Sequence, residues 1–165
     1  DFQRASGATP ISRTSGAIRL PDGRLRGWRE AACPMDIVRE QYFAVKQDAR
    51  LLIEYLPRLV ARPIFERLVE RRGLDVARVD WFVPHYSSDF FRDKLAATMA
   101  EAGFEIPSAR WFSNLATVGN VGSASIYLML EALMRSGRLE RGQQVLGMVP
   151  ESARFSVTYL MMTVV

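Results

Sequence analysis

Two runs decide how this chain folds: Val79-Asp80-Trp81-Phe82-Val83-Pro84-His85 and Gly119-Asn120-Val121-Gly122-Ser123-Ala124-Ser125. The first reads as a short apolar strand that Pro84 and His85 leave. The second is a glycine-bounded loop that opens a helix. Each delivers one polar side chain, His85 or Asn120, ahead of a helix. A histidine and an asparagine placed this way can both donate hydrogen bonds to one carbonyl oxygen, which polarises a thioester. Taken singly, each has a plainer reading. His85, the only histidine in the chain, is equally a core histidine closing a strand. Asn120 after Gly119 is ordinary turn chemistry.

Outward from these runs the chain alternates strand and helix signals. Residues 1–15 are small and polar and read as loop. Ala17–Leu20 and Arg24–Trp28 read as a hairpin around Pro21-Asp22-Gly23. Glu30–Asp36 reads as loop. From Ile37 to Arg72 apolar residues recur at helical spacing, with Pro57 and Pro63 as breaks and Gly73 as a C-terminal cap. A helix capped at Ser88 runs to about Ala102 and stops at Gly103. Arg110–Phe112 reads as a short strand. The helix from Ser123 to Arg135 is apolar nearly all round, so burial on most sides is expected. Gln144–Val149 and Phe155–Val165 are strands, the second apolar on both faces, which predicts a sheet covered on both sides. The order is that of a layered α/β domain. Residues 1–36 form an N-terminal loop and hairpin segment, and 37–165 the main domain.

At 165 residues a single domain buries roughly 70% of its unfolded surface. The chain starts at Asp1 without a methionine, as an excerpt or a processed product does. No apolar run reaches membrane-span length. Cys33 is the only cysteine; this excludes an intrachain disulfide and suits a cytoplasmic setting. Cys33 has no histidine beside it and reads as a small buried or half-buried residue rather than a nucleophile. One cysteine and one histidine do not build a zinc site, so no metal is expected. Net charge is +4, carried almost wholly by arginine, with Lys46 and Lys94 the only lysines. Arginine suits carboxylates and phosphates. The arginines lack the aromatic interleaving of a nucleic-acid surface, and no nucleic-acid or membrane partner is expected.

The ordered set Asp80-Trp81-Phe82-Val83-Pro84-His85, Gly119-Asn120 with Ser123-Ala124-Ser125, and Ser136-Gly137-Arg138-Leu139 with Gly142-Gln143 resembles the C-terminal half of β-ketoacyl-acyl-carrier-protein synthase III. That family has a thiolase-like fold: two similar halves, each a mixed sheet between helices. The resemblance implies that this chain is the second half, a layered α/β/α unit. It implies His85 and Asn120 as catalytic residues, donating to the thioester oxygen while a malonyl thioester loses carbon dioxide. It implies acyl-CoA and malonyl-acyl-carrier-protein thioesters as substrates and no permanently bound cofactor. Its partners would be an acidic acyl carrier protein, the missing N-terminal half or a partner subunit, and a second copy of the full-length enzyme. The nucleophilic cysteine of the family belongs to the other half, and Cys33 does not match its position. On this reading the chain by itself is inactive.

The chain departs from the family at three places. After His85 the family has Gln-Ala-Asn, and this chain has Tyr86-Ser87-Ser88. After Gly119-Asn120 it has Thr-Ser-Ala-Ala-Ser, against Val121-Gly122-Ser123-Ala124-Ser125. The family's glycine-rich loop is replaced by Pro150-Glu151-Ser152-Ala153-Arg154-Phe155. These differences point to a specialised product, polyketide- or polyene-like, rather than the standard fatty-acid starter step. Arg92 and Lys94 are candidates for binding the carrier protein, and Arg154 for binding substrate; all three read equally well as solvated charges. The other functional readings are a non-decarboxylating acyltransferase with His85 as base, a partner subunit without a nucleophile, and, on charge alone, a nucleic-acid binder.

Overall fold

Alternation along one short strand organises the fold. In β5 (Trp81–Pro84) successive side chains point to opposite sides of the sheet. Trp81 and Val83 join Ile126, Met129, Leu133 and Val145 on one face. Phe82 joins Phe65, Leu95, Met99, Leu146 and Met148 on the other. Two cores, one per face, make a three-layer arrangement.

The computed structural model describes residues 12–13, 16–43, 46–47, 53–54, 62–151 and 156–165. The chain forms two compact units, Asp1–Leu52 with Ser152–Arg154 and Ile53–Glu151 with Phe155–Val165. That break lies downstream of the 36/37 boundary read from the sequence.

In the first unit, β1 (Ser12–Arg13) pairs antiparallel with β4 (Lys46–Gln47), so strand pairing enters two stretches read as loop and helix. β2 (Ala17–Arg19) and β3 (Leu25–Gly27) form the expected hairpin. Its turn is closed by Leu20 N–H donating to Arg24 O at 2.8 Å, and Asp22 Oδ1 accepts from Arg24 N–H at 2.9 Å. Gly23 takes φ +84°, where a side chain would be strained. Helix α1 (Pro34–Arg39) corrects the loop expected over Glu30–Asp36. Pro34 opens it because a first-turn residue needs no backbone donor. Cys33 is exposed, not buried or half-buried as expected.

In the second unit, α2 (Arg62–Arg72) ends where expected: Gly73, at φ +63°, donates to Val69 O at 3.0 Å. The sheet order is β5, β6 (Gln144–Glu151), β7 (Ser156–Thr163). β5 and β6 are parallel, with Phe82 opposite Leu146; β6 and β7 are antiparallel, with Gly147 opposite Leu160. The sheet is therefore mixed. Helix α3 (Phe90–Glu101) turns Leu95 and Met99 into the core beside Phe82. The strand expected at Arg110–Phe112 is only one bridge, Trp111 to Phe82, next to a short 3-10 turn. A one-turn helix α4 (Leu115–Val118) precedes α5 (Ser125–Arg135).

One expectation about burial needs correction. Helix α5 buries Ser125, Ile126, Met129 and Leu133 but leaves Tyr127 73% and Met134 69% exposed. It is covered on one side, because none of the described residues of this unit packs over Tyr127 and Met134. β7 is covered on both faces as expected, Val157 and Tyr159 packing on one core and Met162 with the following Val164 on the other, while Leu160 and Met161 stay partly exposed at this outer strand.

Candidate active site

The strand end creates the site. His85 follows β5 directly, and its backbone N–H donates to Met148 O at 2.7 Å, continuing the parallel ladder. The ladder fixes the Cα while the side chain leaves the sheet. His85 is only 7% exposed. Its imidazole has no hydrogen-bond partner among the described residues. Burial holds its pKa below the ordinary histidine value, because charging the ring there loses hydration. The ring is thus neutral near pH 7, with one N–H available to donate.

A small cavity adjoins the ring, lined among others by His85, Tyr86, Ser113, Asn114, Gly119 and Ser125. It brings together the strand end, the turn before α4 and the loop before α5. Gly119 sits at φ +81°, in the region that favours glycine. The next residue, Asn120, is exposed. Its Oδ1 accepts from Gly122 N–H at 2.9 Å. This local turn occupies the carbonyl side of the amide and leaves the NH₂ free to donate. Ser125 Oγ accepts from Val121 N–H at 3.3 Å and ties the loop to the start of α5. Asn114 Nδ2 donates to Leu128 O at 3.2 Å, holding the preceding turn to the same helix.

Neither residue lies in a first helical turn. α3 starts at Phe90 and α5 at Ser125, so neither side chain gains the full field of a helix N-terminus. Arg92, on α3, lines a second and more polar cavity. Lys94 stands exposed with Nζ 5.0 Å from the Phe90 ring centre. Arg154 lies outside the described residues. Tyr86, which sequence reading passed over, is 6% exposed and lines both cavities. Its signal was available: it stands where the resembled family carries glutamine.

Comparison with known proteins places this geometry. Residues 69–149 match the family described as 3-oxoacyl-[acyl-carrier-protein (ACP)] synthase III C terminal. The matched segment belongs to that family. Acetoacetyl CoA synthase of a Streptomyces species is 30% identical over 108 residues, covering 64% of this chain and 30% of that protein. β-Ketoacyl-[acyl-carrier-protein] synthase III of Methylococcus capsulatus is 36% identical over 83 residues, covering 50% of this chain and 24% of its own. The crystal structure of the corresponding synthase III from Thermus thermophilus superposes with a TM-score of 0.63 at 21% identity, over 91% of this chain and 42% of that one. At that identity the superposition speaks for the fold, which is thiolase-like. The chain matches less than a third of the length of these two curated relatives. It corresponds to the C-terminal half of a synthase III-like enzyme.

Proposed function

We propose that this chain is the carbonyl-polarising half of a decarboxylating condensing enzyme, with His85 and Asn120 as its two donors. The observation that carries the reading is the buried imidazole of His85. Burial lowers its pKa and favours the neutral ring, it has no hydrogen-bond partner among the described residues, and it shares its cavity with the glycine preceding Asn120. In the proposed step the carboxylate of a malonyl thioester breaks away as carbon dioxide. The electron pair left behind moves into the thioester carbonyl, and negative charge gathers on its oxygen. Nε2–H of His85 and the amide NH₂ of Asn120 donate to that oxygen. Each such donor, where charge develops, contributes about 3–4 kcal/mol to lowering the barrier. The enolate carbon then bonds to the acyl carbon held as a cysteine thioester, and the cysteine thiolate leaves.

The cysteine would come from the other half of the fold. Cys33 is exposed in the first unit, ahead of a six-residue helix, which does not suit it to that role. The other half, or a partner subunit, would cover the exposed side of α5. Acyl-CoA and malonyl-acyl-carrier-protein thioesters would be the substrates, with Arg92, Lys94 and Arg154 as contributors to carrier or substrate binding. A second copy would complete a homodimer. The pathway would be fatty-acid synthesis or a polyketide- or polyene-like branch, in the cytoplasm. Among the described residues no helix is long and apolar enough to cross a membrane.

The test is carbon dioxide release from a malonyl thioester by the full-length protein, with His85→Ala and Asn120→Ala variants. Each is expected to slow release by about two to three orders of magnitude. Release unaffected by either substitution would sink the reading. Acyl transfer without malonyl, still lost in His85→Ala, would instead identify the non-decarboxylating acyltransferase with His85 as base.

A further inference from the structure

Past Pro84 the strand ends, and two cavities of very different size meet there. The small one beside His85 includes Met129, a member of the core that Trp81 and Val83 join, so it belongs to the α5 side of the sheet. The larger one includes Trp111, which packs against the core around Phe82 on the opposite side. The small cavity offers about 10 Å³, room for no more than one water-sized group. The larger offers about 400 Å³, a volume typical of sites for small molecules. Three residues line both: Tyr86, Ser113 and Leu115.

Of these three, Tyr86 has the largest side chain and is the most buried. It is 6% exposed, while Leu115 is half-buried and Ser113 is exposed. Its place in the chain explains this. Side chains alternate along extended backbone, so the residue after His85 turns to the opposite side of the sheet. His85 is still tied to β6 through its N–H, which donates to Met148 O at 2.7 Å. Tyr86 is the next residue, where the sheet no longer separates its two sides. Its ring takes over as the divider between the two spaces.

We propose that Tyr86 is a specificity-determining residue: its ring walls the larger cavity off from His85, so that the site takes an unbranched malonyl thioester and turns away one branched at the carbon that loses carbon dioxide. This rests on His85 donating to the thioester oxygen. That oxygen is two bonds from the carbon that loses carbon dioxide, so a branch on that carbon lies beside the His85 ring. A hydrogen fits the space left there, and a two-carbon branch does not. The bulk of the ring makes the wall, and the hydroxyl has no part in it. Shortening the side chain would join the two cavities and give the branch somewhere to go.

The test gives the full-length protein malonyl and ethylmalonyl thioesters and compares the ratio of carbon dioxide release between them across variants. A second readout needs no turnover. Diethyl pyrocarbonate acylates a neutral imidazole at a rate set by access to it, and peptide mass locates the product at His85. Tyr86→Ala should raise the ethylmalonyl-to-malonyl ratio at least about ten-fold, the scale on which a pocket sorts single methylenes, and should speed acylation of His85 several-fold. Tyr86→Phe keeps the ring and should leave both readouts at their wild-type values. Leu115→Ala thins the same wall from α4 and should move both in the direction of Tyr86→Ala; it carries the test where Tyr86→Ala does not fold. An unchanged ratio in the alanine variants, or an equal change in Tyr86→Phe, would overturn the proposal, even with faster acylation. Failure of the condensation chemistry would appear separately, as malonyl decarboxylation indifferent to His85→Ala. The acylation rates would then still decide whether Tyr86 closes the cavity, and rates equal in all variants would remove the wall itself.

Discussion

The two ends of β5 treat their polar groups in opposite ways. At the start everything is paired. Asp80 N–H donates to Gln144 O at 2.9 Å, and Asp80 Oδ2 accepts from Gln144 N–H at 2.8 Å. The Trp81 indole N–H donates to Gln143 Oε1 at 3.0 Å, and the same oxygen accepts from Glu140 N–H. Arg138 lies over the Trp81 ring at 4.3 Å. At the far end, four residues along, only the backbone of His85 is tied down; neither its ring nor the Tyr86 hydroxyl has a hydrogen-bond partner among the described residues, and no polar atom of either is both buried and unpaired. The strand start locks β5 to β6. The strand end leaves its polar groups open to the cavity beside it, as sites do and scaffolds do not.

The contrast predicts that function and stability come apart along this one strand. His85→Ala gives the largest effect, a fall of about 100- to 1,000-fold in decarboxylation. It should cost less stability than a fully paired polar residue does. Asp80→Ala does the reverse. It removes an ionised acceptor from Gln144 N–H and should cost about 1.5–3 kcal/mol in urea unfolding, while decarboxylation per folded molecule stays within a few-fold of wild type. Comparable stability losses in both variants, or an Asp80→Ala protein that folds fully but is inactive, would erase the distinction between the two ends.

Much of this division was legible in sequence. The apolar run ending in Pro84-His85 gave the strand and its exit, and the glycines at 73, 103 and 137 gave helix ends that the structure keeps, each at positive φ. Burial was less legible. Helix α5 has apolar residues all round, and composition says nothing about which side finds a partner within the chain; Tyr127 and Met134 did not. Asp80 and Gln143 entered the argument as motif residues of the resembled family, and the structure shows them as fasteners between strand starts. Tyr86 showed in sequence only as a departure from the resembled family, and a tyrosine beside an apolar run reads as core; the cavities on its two sides give it a place at the site.

The next effect is electrostatic. Burial lowers the His85 pKa relative to the unfolded chain. Above the unfolded value of about 6.5 neither state binds the proton, and the stability is fully present. As pH falls below it the unfolded chain takes up a proton that the folded chain refuses, so stability declines until the folded pKa is passed. His85→Asn should flatten that part of the stability profile. With one histidine in the chain, its ring signal reads the folded midpoint directly, and a midpoint at or above the unfolded value would mean that the ring is hydrated or paired with an acid.

Lys94 should give the smallest effect on stability. It is exposed, and its contact with the half-exposed Phe90 ring is worth about 0.5–1 kcal/mol at most. Lys94→Ala therefore changes unfolding by that amount or less. Its effect on carrier-protein binding separates two accounts of α3. A carrier that docks on this helix loses a cation on its path, so association slows and its salt dependence becomes shallower. The same loss in Arg92→Gln but not in Lys94→Ala would mean that Arg92 acts inside the polar cavity and not on the outer surface. Equal losses would make both residues part of one basic patch, and this face of α3 would then meet the carrier protein as a surface.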